Sequence, residues 1–117
     1  LLLPNPDFIF QADTHTIKLT AGSIAHLIET ALQTCFPNIS IHFHKLGKPH
    51  PLIFNEAKKR YPTSSMVMIG DQLQTDIKGA LDSDIDSVLV NTGLSSQQHL
   101  NNQSTIRPHY LLNSVHF

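Results

Sequence analysis

Hydrophobic and polar residues follow one another along the chain in patterns that predict helices and strands in turn. In the first half, apolar residues recur at intervals of three and four from Ile24 to Cys35, which predicts an amphipathic helix over residues 22–35. A short strand is predicted before it at Phe8–Phe10, and alternating apolar positions at 39–43 predict a half-buried strand after it. Cys35 falls on the apolar side of this helix, so its thiol is predicted to be buried.

The second half continues the alternation. A helix is predicted over about 50–60, because a proline opens this stretch and three basic residues close it. The apolar run 66–69 predicts a strand that is buried on both faces. A helix through Ile77 and Ala80 follows, and then a strand over 86–91. Strands that alternate with helices imply a parallel sheet with right-handed crossovers, so the predicted fold class is α/β.

An acidic loop follows the strand at 66–69. The strand ends in Gly70-Asp71, and a second carboxylate, Asp76, comes five residues later. Ligands in open α/β sheets bind beyond the carboxyl ends of the strands, so we expect Asp71 at the mouth of a site. Two carboxylates there suit a hard cation such as magnesium, which also keeps water and substrate phosphate as ligands. The alternative is that Asp76 only caps the next helix, since helix starts commonly recruit aspartate.

A lysine lies upstream on a loop between Gly47 and Pro49. Lys48 precedes the helix that Pro51 opens, so it is held outside that helix. A compact ammonium in such a place can neutralise charge on a phosphoryl group or on an acidic nucleophile. The alternative is an ordinary solvated loop lysine.

Composition and charge exclude several classes of protein. Hydrophobic residues make up 40% of the chain and the net charge is -1, which argues against a disordered or nucleic-acid-binding tail. No apolar run approaches the roughly 18 residues that cross a bilayer, so no membrane partner is expected. A single cysteine cannot form an internal disulfide, which fits a cytoplasmic protein. The eight histidines have no cysteine or acidic partners at the spacing of zinc ligands.

The lysine loop and the acidic loop together resemble the haloacid dehalogenase superfamily. The shared pattern is Gly-Lys-Pro-x-Pro at 47–51, a helix, a hydrophobic strand, and Gly-Asp-x-x-x-Thr-Asp at 70–76. The chain looks most like the subgroup with a large α/β cap, which includes pyridoxal phosphatase and 4-nitrophenylphosphatase. The resemblance implies a three-layer, Rossmann-like core with a parallel sheet. Further matching segments occur at Asn5-Pro6-Asp7, Ala21-Gly22-Ser23-Ile24, Gly79-Ala80, 87–93 and 107–115.

Part of the family pattern is absent from this sequence. In the family, a first strand carries an Asp-x-Asp motif with the nucleophile and the acid/base, and no such motif precedes Lys48 here. The resemblance therefore implies the C-terminal portion of a longer fold, with residues 1–20 as the exit segment of the cap and 21–117 as the C-terminal half of the core. The strand edge beside Asp71 would then be bare, so we expect a homo-oligomer or a complementing N-terminal half as partner.

The resemblance also implies a role for each site residue. Asp71 would bind magnesium, and Lys48 and Asp76 would be the catalytic residues, with Asp76 orienting Lys48 between the nucleophile and the phosphoryl group. Gly70 would allow a tight turn or a close backbone approach, and Thr75 would cap a helix or bond a carboxylate. The implied function is part of a magnesium-dependent phosphatase that hydrolyses a small phosphomonoester through an aspartyl phosphate.

Two other readings of the sequence stay open, and both change what the chain would do. The first is a noncatalytic remnant or binding module that keeps the cation loop. The second is a flavodoxin-like signalling or nucleotide-binding domain, which is weaker because no Gly-rich phosphate loop is present. Because the nucleophile lies outside this chain in the leading reading, the chain alone is predicted to be inactive.

Overall fold

A computed structural model describes most of the chain, namely residues 1–13, 15–62, 65–92 and 105–115. The polar stretch 97–104, for which the sequence predicts a loop or a short surface helix, lies outside the described residues. No helix in the described ranges is long and apolar enough to cross a membrane.

The chain divides into two compact units, Leu1–Gly47 and Lys48–Phe117. All of the residues predicted to form the site fall in the second unit. The boundary predicted at residue 20, between a cap exit and a half core, stays a prediction.

The first unit contains two pairs of short strands and one long helix. Strand β1 (Leu2–Leu3) pairs in parallel with β4 (His44–Lys45). Strand β2 (Ile9–Gln11) forms an antiparallel hairpin with β3 (Ile17–Leu19). Helix α1 (Ala21–Cys35) confirms the predicted amphipathic helix.

Two predictions about this unit are wrong. Cys35 is exposed rather than buried, because the apolar side of α1 is itself largely exposed, as Ile24 and Leu27 show. The strand predicted from the alternation at 39–44 is wrong over residues 39–43, which form no strand, and only His44 of that stretch takes part in β4. Alternation predicted the extended backbone, but a strand also needs a neighbour with which to pair.

The second unit contains a parallel sheet of three strands in the described ranges. Strand β5 (Val67–Gly70) pairs with β6 (Asp86–Val90), and β6 pairs with β7 (Tyr110–Leu112). Gly70 stands opposite Leu89 in this register. The observed elements confirm the α/β fold class and the parallel sheet.

One face of this sheet is covered by helical segments. Helix α2 (Pro51–Arg60) confirms the predicted helix at 50–60. A π-helical turn (Leu73–Ile77) runs directly into α3 (Lys78–Leu81), where the sequence predicted one continuous helix. Two small cores result. Leu73, Ile77 and Leu89 form the first, and Phe54, Ala80 and Ile85 form the second.

Strand β5 differs from its prediction. It was expected to be buried on both faces, but Val67 and Ile69 are exposed while Met68 packs against the second core. The physical reason is position, because β5 pairs only with β6 among the described strands and so lies at the edge of the sheet.

The end of α3 is closed by a left-handed residue. Asp84 has φ 50°. Its backbone N–H donates to Leu81 O at 3.2 Å, and the N–H of Ile85 donates to Ala80 O at 2.9 Å. This pair of bonds is the Schellman arrangement, in which the residue at the left-handed position is usually glycine.

Candidate active site

The residues of the two predicted motifs meet just beyond the carboxyl end of β5. Gly70 is the last residue of that strand, and Asp71 and Gln72 connect it to the π-helical turn. Asp76 lies within this turn and is only 2% exposed. Lys48 reaches the same place from the loop that precedes α2.

Asp76 is held by donors on both of its carboxylate oxygens. Oδ1 accepts a hydrogen bond from Lys48 Nζ at 2.5 Å. Oδ2 accepts from the backbone N–H of Asp71 at 3.1 Å and from that of Gln72 at 3.2 Å. Charge-assisted bonds of this kind are stronger than bonds between neutral groups. The carboxylate therefore fixes the loop and the lysine together, and the structure brings together Lys48 and Asp76 as the sequence predicted.

The Lys48 side chain is only partly buried. Its side chain is 34% exposed, and an ammonium carries three N–H donors. The contact with Asp76 Oδ1 uses one of them. The remaining donors can reach an anion on the solvent side.

The π-helical turn determines where the Asp76 side chain lies. The backbone N–H groups of Asp76 and Ile77 both donate to Gln72 O, at 3.0 and 3.2 Å. Leu73 and Ile77 anchor the turn, since both are buried in the first core. Single π-helical turns are found frequently at functional sites. The sequence predicted a helix here but gave no signal for the wider turn.

Gly70 leaves the space that Asp76 occupies. A Cβ built at Gly70 would lie 2.4 Å from the Cβ, Cγ and Oδ2 atoms of Asp76. Its φ is not in the left-handed region, where glycine is specially favoured. Of the two roles proposed for this glycine, the structure shows the close approach.

Thr75 does not take either of its predicted roles. Its hydroxyl donates to Gln72 Oε1 at 3.4 Å, so it bonds an amide and not a carboxylate. The π-helical turn begins after Gln72 and has no side-chain cap, so the capping prediction is wrong. The alternative role of Asp76, capping the next helix, is not observed either. Its carboxylate instead accepts hydrogen bonds from Lys48 Nζ and from the backbone N–H groups of Asp71 and Gln72, which precede the turn.

Comparison with known proteins identifies the family. Residues 45–116 match the model of the HAD-hydrolase-like family. The chain belongs to the haloacid dehalogenase superfamily. A dihydroxyacetone phosphatase from Corynebacterium glutamicum (strain R) is 32% identical over 113 residues, which are 95% of this chain and 38% of the relative. The chain thus spans well under half of the length of this curated relative.

Solved structures of the superfamily share this fold. A 4-nitrophenylphosphatase from Thermotoga maritima has a TM-score of 0.69 at 26% identity, covering 92% of this chain and 39% of its own. A glycerol phosphate phosphatase from Mycobacterium tuberculosis, solved in complex with magnesium, has a TM-score of 0.70 at 27% identity, covering 94% of this chain and 32% of its own. The three-layer, Rossmann-like haloacid dehalogenase fold is therefore confirmed, in part of its extent.

Asp71 fits as one ligand of a divalent cation in this haloacid dehalogenase chain. Its carboxylate is half-buried, follows the strand end and makes no ion pair with the residues that the structure describes. Carboxylate oxygens are the hard ligands that such cations prefer. Within the same ranges, no group of three or more His, Cys, Asp or Glu residues could hold a metal.

Gln72 is the site residue that the sequence analysis missed. Its side chain accepts the Thr75 hydroxyl, its N–H binds Asp76, and its carbonyl closes the π-helical turn. A residue whose contribution is mainly its backbone leaves no mark in the side-chain pattern, so no signal in the sequence pointed to it.

Proposed function

We propose that this chain supplies the lysine and the acidic loop of a phosphatase that hydrolyses a small phosphomonoester. The observation that carries the proposal is the Lys48–Asp76 ion pair beside Asp71 at the carboxyl end of β5. The names of its relatives, which include a dihydroxyacetone phosphatase and a D-glycerol 3-phosphate phosphatase, support the same class of substrate.

In this proposal the reaction proceeds through an aspartyl phosphate on an aspartate outside this chain. Its carboxylate attacks the phosphorus and the ester oxygen leaves, and water then hydrolyses the acyl phosphate. Lys48 neutralises charge on the nucleophile and on the phosphoryl oxygens. Asp76 holds the Lys48 ammonium at the strand end, and its contact with the Asp71 N–H holds the backbone of the acidic loop in place.

The proposed cofactor is magnesium, bound through Asp71. When bound, it would supply charge stabilisation to the phosphoryl oxygens. Support comes from the single hard ligand that Asp71 offers and from the magnesium complex of the glycerol phosphate phosphatase. The three hydrogen bonds that the Asp76 carboxylate accepts, one of them from Lys48, support a role through Lys48.

The proposed partner for the exposed edge of β5 is a strand that carries the nucleophile. Val67 and Ile69 are exposed there, and apolar strand edges pair readily with further strands. A complementing N-terminal half or a second copy of this chain could provide the strand. We also propose a cytoplasmic location, with a phosphorylated small molecule and neither nucleic acid nor membrane as ligand.

The decisive experiment measures hydrolysis of an aryl phosphate with magnesium. We expect no turnover by this chain alone, and turnover when it is mixed with the N-terminal half of a haloacid dehalogenase relative that bears Asp-x-Asp. In the active mixture, Lys48→Ala and Asp71→Asn should each lower kcat by about a hundredfold or more, as loss of one charge-stabilising group does. The control is Asp82→Asn, at an exposed ion pair away from the site.

Two results would contradict the proposal. Turnover by this chain alone that is lost in Asp71→Asn would place the nucleophile within it. A complex that forms but stays inactive would favour the noncatalytic binding module.

A further inference from the structure

The backbones on both sides of the Gly70–Asp76 contact are fixed. Gly70 is hydrogen-bonded into the parallel ladder opposite Leu89, which is almost fully buried. Asp76 lies in the π-helical turn next to Ile77, which is fully buried in the first core. Neither segment can move away from the other without breaking the sheet or the core.

The Asp76 side chain occupies the volume in which a side chain of residue 70 would lie, with its Cβ, Cγ and Oδ2 atoms each 2.4 Å from the ideal Cβ position. Because the Asp76 Cβ is attached directly to the backbone, rotation of the side chain cannot remove this overlap. A methyl group at residue 70 would therefore force the two segments apart and displace the carboxylate. This displacement would break its contacts with Lys48 Nζ and with the N–H groups of Asp71 and Gln72.

We infer that Gly70 is a positioning residue, whose missing side chain sets the place of the Lys48 ammonium through Asp76. The inference rests on the proposed function, because Lys48 is the residue that would meet the phosphoryl group. The mechanism is steric, since Gly70 has no left-handed φ that would itself require glycine.

The first test measures how fast Lys48 reacts with acetic anhydride in the folded chain, read by peptide mass spectrometry. Lys59, which is exposed, is the internal reference. The Asp76→Ala variant lacks the carboxylate and gives the reaction rate of a released Lys48. In Gly70→Ala, Lys48 should react faster than in the wild type and approach that rate, because Nζ is released from the Asp76 carboxylate. Gly22→Ala is the matched control. Its Cβ would lie 2.2 Å from Pro6 O and 2.3 Å from Asp7 O, so it adds a similar clash within the first unit and should leave Lys48 at the wild-type rate.

The second test is a double-mutant cycle on the free energy of unfolding. We expect the cost of Gly70→Ala to disappear in the Asp76→Gly background, because residue 76 then has no Cβ, Cγ or Oδ2 atom to meet the methyl group. If Gly70→Ala does not fold, the double variant should recover folding. An equal cost in both backgrounds, failure to fold in both, or wild-type reactivity of Lys48 in a folded Gly70→Ala chain would each overturn the inference.

Both tests are independent of turnover, so they separate this inference from the proposed function. A chain that passes them but forms an inactive complex with the N-terminal half would retain the positioning role and refute the phosphatase proposal. In the active mixture described above, Gly70→Ala should lower kcat and leave KM nearly unchanged, whereas Gly22→Ala should leave kcat unchanged in the folded fraction.

Discussion

Leu89 in the second unit is 1% exposed, whereas Leu27 on helix α1 of the first unit is 70% exposed. Both belong to clear apolar patterns in the sequence. In the second unit, the sheet and its helical segments bury each other and form two small cores. In the first unit, α1 leaves most of its apolar side uncovered. Periodicity thus shows that an element has an apolar face, but it does not show whether the same chain contains what covers that face.

The largest predicted difference in the free energy of unfolding is between two leucine-to-alanine substitutions, one in each unit. Leu89→Ala should lower the free energy of unfolding by about 2–5 kcal/mol, because it leaves a cavity in a packed core. Leu27→Ala should change it by less than about 0.5 kcal/mol, since surface substitutions usually have small effects. Urea unfolding measures both, and equal costs would show that α1 is packed in solution.

A similar comparison applies to two ion pairs of equal length. Lys48–Asp76 and Lys78–Asp82 both have N···O distances of 2.5 Å, but Asp76 is buried and Asp82 is exposed. Asp76→Ala should cost about 2–4 kcal/mol, because it leaves two backbone N–H groups and an ammonium without their acceptor; this allows for the partial exposure of Lys48. Asp82→Ala should cost less than about 0.5 kcal/mol. Thermal unfolding would rank the two, and similar costs would mean that Asp76 is solvated.

The smallest predicted effect compares two aspartate-to-glycine substitutions near the end of α3, which should change the free energy of unfolding in opposite directions. Asp84→Gly should raise the free energy of unfolding by about 0.5 kcal/mol, because φ 50° is strained for aspartate and not for glycine. Asp82→Gly should lower it by up to about 1 kcal/mol, since Asp82 has right-handed helical dihedrals. A destabilising Asp84→Gly would contradict the Schellman assignment.

The sequence predicted most of the fold at the level of element order. The strands that become β5 and β6 and the helices α1 and α2 were found because their signals are local, namely periodicity, an opening proline and a closing basic turn. The wrong predictions concern which segments pair as strands and which apolar faces are covered by other elements. Residues 39–43 lack a ladder partner, and β5 lies at an edge. Whether a segment is paired or covered depends on residues distant in the sequence, so no local pattern reports it.

For the candidate site, side-chain chemistry could be predicted and backbone geometry could not. The types and spacing of Lys48, Asp71 and Asp76 pointed to one place, and the structure brings Lys48 to Asp76. Thr75 was assigned from its general preference for helix starts, but the π-helical turn moves that start to Gln72. The volume shared by Gly70 and Asp76 becomes visible only when both backbones are placed.

The π-helical turn makes the loop sensitive to its number of residues. The carbonyl of Gln72 accepts the N–H groups of both Asp76 and Ile77, so the turn holds one residue more than an α-helical turn. Removing a residue between Gln72 and Asp76 would rotate everything that follows by about 100° about the helix axis. Lys48 and Gly70 would then face a different side chain. A change in the length of this loop would therefore separate Asp76 from Lys48 and Gly70, so the site depends on the five-residue spacing between Asp71 and Asp76.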